Sequence, residues 1–156
     1  MHTILIAEDN PDDYFVLEYA FGRAEFVANR VRVQDGEEAR AYLAGAGHYS
    51  NRVAHPIPAL VISDLKMPRM NGLELLRWTR QQPLLKRLPF ILLSASGNPT
   101  DVSAAYEDFA NSYHVKPSRV EELIELLQYV RAYWFKASVR PEIPGDYLVT
   151  ALGEGP

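Results

Sequence analysis

The sequence predicts an α/β protein: a doubly wound, five-stranded parallel sheet with helices on both faces. Three observations carry that expectation. Short, continuous apolar runs alternate with segments whose apolar residues recur at helical spacing, the pattern of strands covered on both sides and joined by crossover helices. Several of those runs end in polar or charged residues, and in such sheets ligands bind beyond the carboxyl ends of the strands. A length of 156 residues suits one domain with a substantial core.

The elements follow in order. Thr3, Ile4, Leu5, Ile6 and Ala7 form a short apolar run that ends in Glu8 and Asp9. Asn10, Pro11, Asp12 and Asp13 then open a helix: Asn is a good N-cap, Pro suits the first helical position, and acids favour the positive helix end. Val16, Leu17, Ala20, Phe21 and Ala24 give that helix its apolar stripe. Residues 27–33 read as the second strand. Asp35 caps a helix through Glu37, Ala39, Tyr42 and Leu43, and Gly45 stops it. Residues 45–58 lack periodicity and are rich in turn formers, so they read as a loop longer than such connections usually are.

Residues 59–63 form the third strand, with Asp64 at its end. Asn71 caps a helix carrying Leu73, Leu76, Trp78 and Thr79. Residues 89–94 form the fourth strand, ending in Ser94. Gly97, Asn98 and Pro99 make a turn, and Pro99 or Thr100 starts a helix through Val102, Ala105, Tyr106 and Phe109. Residues 112–115 are a short fifth strand, followed by Lys116 and Pro117. Ser118 and Glu121 have the spacing of a capping box. The helix they would open carries the stripe Val120, Leu123, Ile124, Leu127, Val130 and Trp134, widened by Leu126, Tyr129 and Tyr133. Residues 137–156, rich in Pro and Gly, read as an irregular tail with no output domain after it.

Composition excludes several classes. The net charge of −4 lacks the basic footprint of a nucleic-acid binder. The absence of cysteine removes disulfides and thiolate metal sites and fits a reducing cytoplasm. The N-terminus enters a strand directly, without the pattern of a signal peptide. No apolar run approaches the roughly 20 residues that span a bilayer. His2, His48, His55 and His114 lack the spacing of metal ligands.

The strand ends bring Glu8, Asp9, Asp64, Ser94 and Lys116 to one edge of the sheet. Carboxylates that close repel by about 4 kcal/mol per pair at ~4 Å and an effective dielectric near ~20. Such a cluster invites a divalent cation, and an all-oxygen site points to Mg2+ or Mn2+. Lys116 adds a mobile positive charge and Ser94 a hydroxyl donor. Nucleophile, cation, ammonium and hydroxyl are the parts needed to hold a phosphoryl group on an Asp oxygen.

This set resembles the receiver domain of two-component response regulators. The residues that carry the resemblance are Glu8-Asp9, Asp64 with Met67-Pro68 and Gly72 after it, Ser94-Ala95, and Lys116-Pro117, over roughly residues 3–135. The resemblance implies a flavodoxin-like (βα)5 fold with strand order 2-1-3-4-5, a receiver domain over residues 1–136 and a tail over 137–156. It implies that Asp64 is phosphorylated by a partner histidine kinase. Asp9, Asp64 and the backbone carbonyl of Lys66 would bind Mg2+, with Glu8 acting through water. Lys116 and Ser94 would contact the phosphoryl oxygens, and Tyr113 would be the aromatic that turns inward when Ser94 moves. The domain would be no enzyme beyond promoting its own phosphorylation and dephosphorylation. Lys116-Pro117 is often a cis peptide in this family.

The Asn10-Pro11-Asp12-Asp13 start, the long 45–58 loop and the Tyr133-Trp134-Phe135 helix end further resemble small single-domain regulators that partner phytochrome kinases. A homodimer or partner surface is expected on the fourth helix, fifth strand and fifth helix, because one helix face cannot bury Leu126, Tyr129 and Tyr133 along with the main stripe. Lys66 stands where related small regulators often carry Asn, which predicts an altered aspartyl-phosphate lifetime.

Each residue also has a plainer reading. Glu8-Asp9 and Ser94 would serve as caps, Asp64 as a turn residue, Lys116 as a solvated lysine and Tyr113 as packing. Rival functions are a degenerate receiver acting as a phosphorylation-independent interaction module, an Asp-nucleophile phosphatase of the haloacid-dehalogenase type, and a flavodoxin-like cofactor binder. Lys66 stands where the phosphatase needs a second Asp, and Glu8-Asp9 would repel a cofactor phosphate without a metal.

Overall fold

Residues 1–143 are described by the structure, a computed structural model. The strands are β1 (Thr3–Ala7), β2 (Asn29–Val33), β3 (Leu60–Ser63), β4 (Phe90–Ser94) and β5 (Ser112–Val115). The helices are α1 (Pro11–Arg23), α2 (Gly36–Ala44), α3 (Gly72–Gln81), α4 (Pro99–Glu107) and α5 (Val120–Ala132). All strand pairs are parallel, and the order is β2-β1-β3-β4-β5. This is the flavodoxin-like order, and it sets the carboxyl ends of β1, β3, β4 and β5 along one edge.

The two-residue period of the strands divides the core. Leu5, Val61, Phe90 and Leu92 face α2, α3 and α4, where Tyr42, Leu75, Leu76 and Ala105 are buried. Ile4, Ile6, Leu60, Ile62, Ile91 and Leu93 face α1 and α5, where Leu17, Ala20, Phe21, Leu123, Leu127 and Val130 are buried. The edge strand β2 carries Arg30 and Arg32, charges that discourage pairing with another chain.

Most of the expected caps form. Asn10 accepts from the Asp12 and Asp13 N–H groups, Asp35 from Glu38, and Asn71 with Glu74 makes a complete capping box. Gly45 closes α2 in the left-handed region at φ 66°, where a Cβ is disfavoured.

Other expectations fail in detail. The Ser118 capping box does not form: α5 begins one residue later than that box requires, with Arg119 at the cap position and no side-chain cap bond. Val27 and Ala28 lie before β2. Val16 is exposed beside Phe15 and Tyr19 rather than buried. Phe109 lies beyond α4, exposed, with φ 66°. The 45–58 loop contains a 3-10 turn, Gly47–Tyr49, anchored by Tyr49 Oη donating to Glu38.

The expected tail is more ordered at its start than its composition suggested. A π-helical turn, Tyr133–Ala137, follows α5. Arg140 then donates to the Trp134 carbonyl, and Ile143 is buried. The rest of that tail lies outside the described residues.

Candidate functional site

Glu8 leaves β1 buried, because its N–H continues the ladder to the Val33 carbonyl at 3.0 Å. Arg32 grips the same turn from β2, donating to the carbonyls of Glu8 at 3.1 Å and Asp9 at 3.3 Å. Asp64 leaves β3 in the same manner, its N–H donating to Ala7 at 2.9 Å. Its Oδ1 accepts the Leu65 N–H at 2.6 Å. Its Oδ2 accepts from Lys116 Nζ at 2.9 Å. Lys116 leaves β5, its N–H donating to the Ser94 carbonyl at 2.7 Å.

The Lys116 ammonium is the centre of the site. Besides Asp64 it donates to Glu8 Oε2 at 2.8 Å and Asp13 Oδ2 at 3.0 Å. Burial alone would lower its pKa; bonds to Glu8, Asp64 and Asp13 outweigh that and hold it above the ordinary lysine value. Burial raises the Glu8 pKa, and the bonds from Lys116 and the Asn10 N–H only partly offset it.

The loop that follows Asp64 is tied down. A Cβ on Gly72 would overlap the Asp64 carbonyl oxygen, so only glycine lets α3 start this close to the strand end. Gly36 N–H donates to the Met70 carbonyl at 3.0 Å, and Arg69 makes an ion pair with the buried Asp35. Arg69 sits at φ 66°, an uncommon conformation for a side chain of its size. Burial would raise the Asp35 carboxyl, but the Glu38 N–H and the Arg69 guanidinium hold it below the usual range.

Ser94 is buried, and its hydroxyl accepts the Ser96 N–H at 3.2 Å. Tyr113 packs its ring against the core under α4 and donates its hydroxyl to the Ser96 carbonyl at 2.7 Å. The backbone after β4 therefore touches both residues.

Comparison with known proteins decides the family. Residues 4–128 match the response regulator receiver domain.

This chain belongs to the response regulator receiver family.

The receiver is 31% identical over 139 residues to the response regulator Rcp1 of a Synechocystis strain, covering 89% of this chain and 92% of that one. The Mn2+-bound form of Rcp1 superposes with a TM-score of 0.81 at 30% identity, covering 91% of this chain and 100% of that one. Response regulator RPA3017, described in red light signaling of R. palustris, gives 0.87 at 32% identity, covering 91% of this chain and 99% of that one. The phosphorylated cyanobacterial phytochrome response regulator RcpA gives 0.83 at 30% identity, with coverage of 90% and 99%. Receivers are signalling modules rather than enzymes of metabolism, and no helix among the described residues is long and apolar enough to cross a membrane.

The fold of the receiver brings Glu8, Asp64 and Lys116 into direct contact. Ser94 ends β4, whereas Tyr113 lies within β5, three residues before Lys116; the Lys116 N–H bond to the Ser94 carbonyl joins the two strands at the site. Asp9 is exposed and faces a neighbouring hollow with Leu65, Lys66 and Pro68. The carboxylates that meet are Glu8, Asp13 and Asp64, with oxygens all within 4.8 Å of one another. The Lys116 ammonium bonds one oxygen of each of the three, and an oxygen-only edge without His or Cys suits a hard divalent cation beside it. Among the described residues there is no cis peptide, so the Lys116–Pro117 bond is trans.

Asp13, Arg32 and the Asp35–Arg69 pair escaped the sequence reading. Asp13 read as a helix-end acid, which it also is. Its place one turn after Glu8-Asp9 was the available signal, because Cα–Cβ bonds on a helix tilt toward the N-terminus and so back toward the strand ends.

Proposed function

We propose that this receiver is a two-component response regulator that takes a phosphoryl group onto Asp64 from a histidine kinase of the phytochrome type. The Lys116–Asp64 contact carries the reading: a cation is bonded to one carboxylate oxygen at a half-open strand end. In the transfer, an Asp64 oxygen attacks the phosphorus of a phosphohistidine. The P–O bond forms, the P–N bond breaks, and its electron pair returns to the imidazole. Lys116 then bonds a phosphoryl oxygen in place of the carboxylate oxygen. Ser94 supplies a hydroxyl to a second phosphoryl oxygen once it exchanges the Ser96 N–H.

Asp9, Asp64 and the Lys66 carbonyl, with Glu8 through water, are the groups proposed to hold Mg2+ or Mn2+. That cation would neutralise charge on the transferred phosphoryl group.

The added charge of about −1.5 to −2 is the trigger. Movement of Ser94 would pull on the segment whose Ser96 carbonyl holds Tyr113, and so alter the face of α4, β5 and α5. Tyr106, Phe109, Tyr129 and Tyr133 are exposed on that face or at its border, which supports its use for a second copy or another partner. The names of RcpA, a cyanobacterial phytochrome response regulator, and of RPA3017, described in red light signaling, support the phytochrome-type kinase. Beryllofluoride with Mg2+ tests the reading. The wild type should change its tyrosine or tryptophan fluorescence and Asp64→Asn should not; no change in the wild type would contradict it.

A further inference from the structure

Asp13 is the feature of the site that the resemblance does not assign. It is the third residue of α1, and its side chain reaches back to place Oδ2 3.0 Å from Lys116 Nζ. An ammonium has three N–H donors. Glu8 at 2.8 Å, Asp64 at 2.9 Å and Asp13 at 3.0 Å take one each. The side chain of Lys116 is 20% exposed and that of Glu8 5%, whereas that of Asp13 is 50% exposed. Asp13 thus holds the ammonium from the open side and Glu8 from beneath.

Val16, Leu17, Leu93 and Leu123 line the same hollow. Apolar walls lower the local dielectric, so the Asp13–Lys116 pair is worth more than an ion pair on open surface.

When Asp64 becomes an acyl phosphate, one of its oxygens enters the new bond and the negative charge moves onto the phosphoryl oxygens. Lys116 must follow that charge. Held by Glu8 alone, its four-carbon stem pivots and the other two N–H bonds sweep a cone. Held by Glu8 and Asp13, the ammonium is fixed at two points and tetrahedral geometry directs its third N–H.

We infer that Asp13 is a positioning residue for phosphoryl transfer: with Glu8 it holds two of the Lys116 N–H bonds so that the third points at Asp64 and at the phosphoryl group Asp64 is to carry. The inference rests on the receiver reading above.

The test uses the full chain with Asp13→Ala, Asp13→Asn and Asp13→Glu. Beryllofluoride affinity is measured at saturating Mg2+, Mg2+ affinity is measured alone, and the 15N signal of the Lys116 ammonium is recorded. Asp13→Ala should weaken beryllofluoride binding by roughly tenfold, what one modest charge-assisted hydrogen bond is worth. Mg2+ affinity should change much less, and the ammonium signal should broaden through faster exchange. Asp13→Glu should recover most of the affinity and the signal. Asp13→Asn keeps an acceptor oxygen and should fall between; it also serves if the alanine variant folds poorly. Unchanged beryllofluoride affinity in Asp13→Ala overturns the inference, as does an equal loss of Mg2+ affinity or a failure of Asp13→Glu to recover. A wild type that binds no beryllofluoride would instead overturn the receiver reading.

Discussion

Two half-buried cations stand at opposite ends of the same sheet. Lys116 follows β5 at the carboxyl edge, and Arg80 on α3 reaches the amino edge. Arg80 donates to the carbonyls of Phe109, Lys86 and Leu88 and to Asn111 Oδ1, at 2.7–3.2 Å. Asn111 Oδ1 also accepts the Phe90 N–H that starts β4. Burial lowers the Arg80 pKa, and among the described residues no charged partner offsets it. At Lys116 burial acts in the same direction, and three carboxylates reverse it.

The difference lies in the acceptors. Neutral carbonyls on fixed backbone make a permanent clamp that joins α3, the α4–β5 turn and the entry to β4. Carboxylates on side chains make a set whose charge can change, so the cation they hold can be redirected. The one cation reads as structural and the other as functional, although both are saturated with hydrogen bonds.

Exchange of each cation for alanine separates the two roles most widely. Lys116→Ala should abolish the fluorescence response to beryllofluoride with Mg2+, while Arg80→Ala should keep it. A full response in Lys116→Ala would break the comparison. Arg80→Ala should instead cost stability, about 1–2 kcal/mol, because only its bond to the Leu88 carbonyl is partly buried and the others are open to water, read from urea unfolding. A loss below ~0.5 kcal/mol, the size of an ordinary surface change, would show that the clamp is idle.

The comparison sharpens at Lys66, an exposed cation near the site that has no carboxylate bonded to it among the described residues. Lys66→Asn and Lys66→Ala should each change the decay rate of the phosphorylated protein severalfold, followed by phosphate release. Equal rates in all three proteins would remove Lys66 from the chemistry.

Asp35→Asn probes a fixed pair at the same edge. Asn is as good an N-cap as Asp, so the variant reports the Arg69 contact alone. It should cost about 1 kcal/mol, since Arg69 is largely exposed. The Asp35 pKa is lowered on folding. Its contribution is therefore present above the unfolded value of 3.8 and is lost as pH falls through the lower folded value. Asp35→Asn should remove that part of the acid limb of the stability curve.

His114 gives the smallest effect. Burial lowers its pKa below 6.5, so the unfolded chain takes a proton that the folded chain refuses. Stability is whole above pH 6.5 and declines as pH falls toward the lower folded value. His114→Gln should flatten that decline in thermal unfolding between neutral and mildly acid pH.

Much of this was legible in the sequence because parallel strands buried on both faces must be continuously apolar, and the residues where they stop stand out. Glu8, Asp64, Ser94 and Lys116 were found in that way. Strand order and the role of Lys116 toward the phosphoryl oxygens came from family likeness, since nothing local pairs β1 with β3; the direct bond from Lys116 to Asp64 is seen only in the structure. Asp13 was hidden because a helix N-terminus explains an acid without any site. The Ser118 box was misread because its spacing matches the motif while the chain turns helical only after Arg119. Arg69 was missed because its partner, Asp35, already had a role as a cap.

The central claim, that Asp64 is the phosphoacceptor, is tested most directly by intact mass and peptide mapping after incubation with acetyl phosphate and Mg2+. The account predicts a gain of one phosphoryl group on the peptide that bears Asp64, absent from Asp64→Asn and from samples stripped of divalent cation. No gain in the wild type, or an equal gain in Asp64→Asn, would contradict it.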